Sequence, residues 1–277
     1  MITKDKKEEL IDHSIWIRKK IITMVINAGY GHIGGSLSCV DILCSLYLGK
    51  LLNVNPNNIS ANRDRYIHSK GHACEVMYAT LARAGFIEES ILETYGKDGS
   101  ILGGHVDSSI PGIELSTGSL GNGLGIGCGI AYGAKLLSED YKTIVMLGDG
   151  ECFEGAVWEA AQFANHHQLT NLIAIIDRNL EITLDYTEDC NALEPFAEKW
   201  IAYGWNVISI NGHDFSEIFH GFQAAKENDS FKPSVIIAST VKGKGVSFME
   251  KNLGWHHKVP SYDQYKKALA ELNTKSL

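Results

Sequence analysis

Four short apolar runs between residues 143 and 240 constrain the fold of this chain more than any other feature. They are TIVML at 143–147, NLIAIID at 171–177, WNVISI at 205–210 and PSVIIAST at 233–240. Each is rich in the β-branched and apolar residues that suit a strand covered on both faces. Between them lie segments with helical periodicity at 154–168, 193–203 and 214–226, the last opened by Asp214 and Glu217 in capping-box spacing. Strands alternating with helices make βαβ units, and so predict a doubly wound, mostly parallel α/β sheet with helices on both faces. The first half reads less regularly. Helices are expected over 6–28, from Cys39, over 72–85 and over 120–138. A Gly-rich loop at 28–38, a polar loop at 53–66 and an irregular stretch at 96–119 separate them. No repeat or Pro- or Ser-rich linker divides the chain, so residues 1–277 read as a single domain.

A net charge of −8 leaves no basic stripe to neutralise phosphates, which excludes a nucleic-acid partner. No run is long and apolar enough for a bilayer and the N-terminus has no signal-peptide pattern, so a cytoplasmic chain without a membrane role is expected. The six cysteines show no CxxC pairing and read as free thiols in a reducing compartment.

The first of the four runs ends in Gly148-Asp149-Gly150. Asp is a poor strand residue and expensive to bury unpaired, while flanking glycines let the backbone turn and approach something closely. Ligands of doubly wound sheets bind beyond the carboxyl ends of the strands. Asn179 stands at the end of the next run, about 28 residues on, so two oxygen-bearing side chains reach the same edge. A carboxylate and an amide oxygen suit a hard cation such as Mg²⁺, often bound together with phosphates. Gly148 and Gly150 would let a diphosphate approach, near the N–H groups that open the following helix.

The pair GDG and Asn, in this βαβ setting, is the magnesium–diphosphate signature of thiamine diphosphate enzymes. The wider sequence resembles the transketolases, and within them the N-terminal subunit of a transketolase split into two chains. The motifs that carry the resemblance run in order: GHIGGSLS (31–38), SKGHA (69–73), GGH (103–105), PGIELSTGSLGNGL (111–124), GDGECFEGAVWEAA (148–161), DRN (177–179), KGKGVSFME (242–250) and WHHK (255–258). The resemblance implies thiamine diphosphate and Mg²⁺ as cofactors. Asp149, Asn179 and the main-chain oxygen of Glu181 match the metal ligands. His72, Gly148, Gly150, Glu151 and Asn179 match positions around the diphosphate, and Gly118, Ser119 and Leu120 a loop under the cofactor rings. His32, His105 and His256 match histidines that bind and protonate sugar oxygens, work for which imidazole is suited.

This chain departs from the family at Ile33, where Pro is usual, at Leu180, where Gly or Asn often follows, and at His257, where WHG is usual. The last leaves open whether His256 or His257 faces the site. After WHHK about twenty residues remain, so the half that would hold the aminopyrimidine ring, with its activating Glu, is expected on a C-terminal partner subunit. The expected assembly has two copies of each chain and acts on sugars or sugar phosphates by two-carbon ketol transfer. The α chain of a 2-oxo acid dehydrogenase, a deoxyxylulose-phosphate synthase or a non-catalytic homologue remain the alternatives.

Overall fold

The computed structural model describes residues 2–57 and 60–274. A five-stranded parallel sheet runs through it, made of β1 (Arg65–His68), β2 (Thr143–Gly148), β3 (Leu172–Arg178), β4 (Asn206–Asn211) and β5 (Ser234–Ser239). In space the order is β1-β2-β3-β5-β4. β3, in the middle, is buried at all seven positions, and β2 and β5 at their first five. Helices cover both faces there, so no solvent side exists for polar residues to alternate onto, and the strands read as unbroken apolar runs. β4 lies at an edge and has no fully buried residue.

Helices cover both faces of the sheet and frame its edge. α1 (Lys4–Ala28), α2 (Ile33–Ser38), α3 (Val40–Tyr47) and α4 (Cys74–Arg83) form the N-terminal layer. α5 (Asn122–Leu137) and α6 (Gly155–His166) flank β2, and the short α7 (Thr187–Asn191) follows β3. α8 (Phe196–Ala202), α9 (Phe215–Lys226) and α10 (Tyr262–Thr274) complete the set. α5, α6 and α8 pack on one face, through Leu124, Val157 and Trp200 against Val145, Leu147 and Ile176. α1, α3, α4, α9 and α10 share the opposite core, which takes Ile144, Met146 and Ile175 from the same strands. The period-two alternation of each strand thus feeds two separate cores. The connections β2→β3 and β4→β5 cross the sheet in opposite directions, so a right-handed crossover puts α6 and α9 on opposite faces.

A buried ion pair ties the N-terminal layer to the rest. Arg18 of α1 donates to both oxygens of Asp41 in α3, at 2.9 and 2.7 Å. His213, in the turn after β4, lies 2.8 Å from Asp41 Oδ2 and accepts the Val241 N–H at 2.8 Å. The latter bond leaves Nδ1 as the protonated nitrogen, donating to Asp41. The glycines of α5 divide between two roles. A Cβ on Gly127 would lie 2.5 Å from Val145 Cγ2, whereas one on Gly125, Gly129 or Gly133 would meet nothing within 4 Å. Five of the six cysteines are buried and all six are free; Cys190 is exposed. Among the described residues, no helix is long and apolar enough to cross a membrane.

Further elements lie outside the expected ones. β1 occupies the end of the expected polar loop, the Gly-rich loop contains α2, and α10 lies beyond the last expected strand.

Candidate cofactor and substrate site

Strand register places the expected metal residues side by side. Gly148 of β2 pairs with Asp177 of β3, so Asp149 and Asn179 leave adjacent strand ends. Asp149 is only 2% exposed. Its Oδ1 accepts the Gly150 N–H at 2.8 Å, and its Oδ2 accepts from Leu180 N at 2.7 Å and Arg178 Nη1 at 3.3 Å. Burial and the nearby Asp177 raise its pKa, with these donors opposing. Asn179 turns its Oδ1 to the Glu181 N–H at 3.2 Å. Leu180 bridges the two at φ 70, a left-handed conformation that glycine adopts more cheaply. Its N–H bond to Asp149 helps hold that turn.

Asp177 gathers the motifs around this edge. Fully buried, it accepts from Ser38 at the end of α2 at 2.5 Å, and also pairs with Lys70 of SKGHA and Thr240 beyond β5. Burial alone would raise its pKa, but Lys70 and the hydrogen bonds hold it below the usual carboxylate range. Glu151 is a second staple. Its carboxylate accepts from Ser69 Oγ at 2.5 Å, Gly121 N at 2.9 Å and Gly148 N at 3.1 Å, and so is spent on joining three loops.

Above these residues lies a cavity of about 400 Å³. Of the expected residues, His32, His72, Gly118, Leu120, Gly148, Asp149, Gly150, Glu151, Asn179, Glu181 and His256 line it. Ser119 does not; it accepts from the Asn122 amide through both its carbonyl and its hydroxyl, at 3.1 Å each, at the start of α5. His105 is exposed outside the cavity, with its ring 6.3 Å from that of His32. His32 is the hub of the imidazoles, 5.1 Å from His72, 5.6 Å from His256 and 4.7 Å from His257 between ring centroids. His256 lines the cavity and its Nε2 lies 3.0 Å from Thr183 Oγ1, while His257 is exposed.

Burial, followed by the neighbouring imidazoles and Lys242, depresses His32 to about 4. Burial, then Lys242 and His32, brings His256 to about 3. Both rings are therefore neutral near pH 7 and can each donate and accept a hydrogen bond.

Two lysines at the cavity carry no expectation from the sequence. Lys70 is paired with Asp177. Lys242 is 3% exposed, and its ammonium donates to the main-chain oxygens of Glu181 at 3.0 Å and Ile182 at 3.3 Å. Burial lowers it to about 8. The Lys in KGKG was visible in the sequence, but nothing local marked it as buried at a cavity wall.

The cavity has room for a diphosphate-bearing group, with the Lys242 ammonium on its wall to meet the charge. Two buried polar atoms on its wall, Glu181 Oε2 and His256 Nδ1, have no hydrogen-bond partner among the described residues. Such atoms are costly unless a ligand or water satisfies them. A Cβ on Gly35 would stand 3.9 Å from Lys70 Nζ and 4.0 Å from His72 Nε2, so glycine keeps that wall open. Among the described residues no three His, Cys, Asp or Glu side chains could hold a metal by themselves. A hard cation here needs the Asn179 amide, main-chain oxygen and oxygens of the ligand as well, which is how Mg²⁺ is usually held.

Parallel strands that each deliver an oxygen donor to one edge, under a cavity of this size, define an α/β protein that holds a phosphate-bearing cofactor at its strand ends. Comparison with known proteins then gives the family. Residues 11–269 match the family described as "Transketolase, thiamine diphosphate binding domain", and the chain belongs to it as a transketolase-type transferase chain. It is 44% identical over 257 residues to one subunit of the apulose-4-phosphate transketolase of Phocaeicola vulgatus, covering 92% of this chain and 91% of that one. It is 40% identical to the 6-deoxy-6-sulfo-D-fructose transketolase subunit of a Clostridium species, covering 92% and 93%. The transketolase structure from Campylobacter jejuni superposes with a TM-score of 0.90 at 32% identity, over 96% of this chain. Only 43% of that transketolase is matched, so the chain spans under half of it.

Proposed function

We propose that this chain is the diphosphate- and Mg²⁺-binding subunit of a two-subunit transketolase, moving a two-carbon ketol unit from a ketose to an aldose. The observation that carries the reading is the pairing of Asp149 and Asn179 at adjacent strand ends beneath a cavity lined by neutral histidines. Asp149, Asn179 and the Glu181 carbonyl would hold Mg²⁺. Gly148, Gly150, His72 and Lys242 would face the diphosphate, with Gly118 and Leu120 beside the rings. Thiamine diphosphate, when bound, supplies the carbanion chemistry of ketol transfer.

The chain's own residues bind, orient and move protons. His32 and His256, neutral and able to donate or accept, would hold the hydroxyls of the sugar and pass protons to and from its carbonyl oxygen. His105 would join them from the rim. The two relatives described above are named for a sugar phosphate and a sulfonated sugar. We infer a ketose bearing an anionic group as donor here too. Each of those relatives is named as one subunit of its transketolase, which supports a partner chain carrying the pyrimidine-binding half. We extend this to two copies of each chain in the assembly and to a cytoplasmic site of action, in keeping with the free thiols.

The test is an assay of the chain mixed with its partner subunit, thiamine diphosphate and Mg²⁺. Ketol transfer from phosphorylated or sulfonated ketoses to an aldose phosphate is expected. Decarboxylation of a 2-oxo acid without ketol transfer would replace this reading with that of an α-type dehydrogenase subunit.

A further inference from the structure

Glu75 is a buried carboxylate that the ligand assignments above leave unused. It lies in the first turn of α4 and has no exposed surface. Among the described residues it forms no ion pair; three hydrogen bonds from two other segments satisfy it instead. Its Oε1 accepts the His32 main-chain N–H at 2.8 Å and the Tyr95 hydroxyl at 2.9 Å. Its Oε2 accepts the Ser36 hydroxyl of α2 at 2.5 Å. A carboxylate taken out of water is tolerable only when donors converge on it in this way.

The chain before His32 is shaped to let that carboxylate in. A Cβ on Gly31 would stand 2.5 Å from Glu75 Oε1, so only glycine permits the approach. His32 itself precedes α2 at φ −104, ψ 62, and its side chain makes no capping bond. Its own helix holds it through the Ser36 N–H, which donates to the His32 carbonyl at 3.1 Å, but does not fix its N–H side. Glu75 does, by gripping its N–H on one oxygen and the next turn of α2, at Ser36, on the other. Behind it Tyr95 packs against Tyr30 at 5.4 Å and Tyr78 at 6.0 Å, so the donor on Oε1 is itself held in place. The imidazole of His32 is then free of capping duty and meets three other imidazoles within 5.6 Å.

We propose that Glu75 is a positioning residue for His32: its carboxylate fixes the backbone from which that imidazole reaches the sugar. This rests on the ketol-transfer reading above. Misplacing a catalytic group by about 1 Å can cost up to about 100-fold in rate. Glu75→Ala should accordingly lower kcat about 10- to 100-fold in the complex with the partner subunit, with cofactor affinity changed less than about twofold. Glu75→Gln keeps an oxygen for His32 and Tyr95 and an amide that can donate to Ser36, so it should stay within about threefold of the wild type.

The deciding measurement is a double-mutant cycle. In a His32→Ala background, Glu75→Ala should lower kcat no more than about twofold further, because its effect runs through His32. An equal fold loss in both backgrounds would overturn the proposal and make Glu75 a general fold residue. A second readout needs no activity. In the histidine NMR spectrum of the chain, the His32 ring signal, identified by its absence in His32→Ala, should shift in Glu75→Ala and return in Glu75→Gln. Tyr95→Phe, which removes one donor from the same oxygen, gives a milder shift if Glu75→Ala does not fold. An unmoved ring signal in the folded variants rejects the proposal. A wild-type complex without ketol transfer would instead refute the functional reading, with the ring signal still deciding the role of Glu75.

Discussion

Asp149 carries a fold load and, on the proposed function, a metal load, and a variant series can separate them. As a fold residue it accepts Leu180 N–H and Gly150 N–H, so Asp149→Ala should cost about 1–3 kcal/mol of stability by leaving buried donors unpaired. As a metal ligand its loss should exceed the roughly 10- to 100-fold typical of groups behind the ligands. Asp149→Asn separates the loads by keeping an acceptor oxygen while removing the charge. Calorimetric titration of the reconstituted complex should show Mg²⁺-dependent cofactor affinity lost in Asp149→Ala and strongly reduced in Asp149→Asn. Undiminished affinity in both would remove Asp149 from the metal site. His68 allows a prediction about pH. It is 3% exposed, lies 2.9 Å from the Tyr66 hydroxyl through Nδ1, and lies 3.0 Å from Ala73 O through Nε2. Nε2 must donate to that carbonyl, so the ring sits neutral with Nδ1 accepting. Burial, then the charge of Lys70, pushes its pKa from 6.5 down to about 3. The unfolded chain takes up a proton that the folded chain refuses, so stability is full above pH 6.5 and falls as pH drops from there towards 3. His68→Leu should lose about 1–3 kcal/mol at pH 7.5 through the unpaired Tyr66 and Ala73 groups. Its loss between pH 6.5 and 5 should be shallower by up to about 1.4 kcal/mol per pH unit. Urea denaturation at a series of pH values measures both, and parallel pH slopes in the two proteins would contradict the assignment.

At the scale of elements, α5 tests how its glycines are used. Gly127 faces Val145 at a separation with no room for a methyl group, so Gly127→Ala should destabilise by about 1–3 kcal/mol through overpacking. Gly125 faces open space, so Gly125→Ala should gain about 0.5–1 kcal/mol from helix propensity. Thermal unfolding of the isolated chain compares them, and destabilisation of both would mean that the outer face is packed within this chain. The sequence showed α5 as a helix of small residues but gave no sign of which glycines faced inward. The elements it revealed well are those whose pattern burial writes directly, such as β3, where every residue is apolar until Asp177. β1 was hidden because it is only four residues long and ends in His68, with polar chain before it. α2 was hidden because IGGSLS has poor helix propensity; all six residues are buried, and packing overrides the glycines. α10 buries only Ala268 and Leu272, so its periodic signal is weak. The same division holds in the site. Asp149 and Asn179 could be placed on one edge because strand ends are readable, and most of the remaining positions came from the family resemblance. The partnership of Asp177 with Lys70, 107 residues apart, depends on tertiary contact alone, as does that of Glu75 with His32.

For the whole molecule, the central expectation is that this chain needs a second chain to act. On the proposed function the cavity would hold a metal and a diphosphate, and the relatives the chain matches nearly end to end are named as single subunits of larger enzymes. We place the docking face for the partner subunit on the outer side of α5 and α6. Gly125, Gly129 and Gly133 follow one another at helical spacing there, with Ile126 exposed at 41% and Phe163 at 40%. Bare backbone flanked by apolar side chains allows close approach, and it is adjacent in sequence to Gly118 and Leu120, which line the cavity. Gly129→Leu adds a side chain that the isolated chain can accommodate, since nothing lies within 4 Å of the new Cβ. The variant should therefore unfold at or above the temperature of the wild type when alone. Mixed with the partner subunit it should fail to assemble, and ketol transfer should fall with the fraction of complex formed. Light scattering and activity measured on the same samples test this together. Wild-type chain alone should show no turnover with thiamine diphosphate, Mg²⁺ and a donor–acceptor pair, and mixing should yield a species with two copies of each chain. Robust turnover by the pure single chain would place the activating carboxylate within these residues. Normal assembly by Gly129→Leu would move the docking face away from α5.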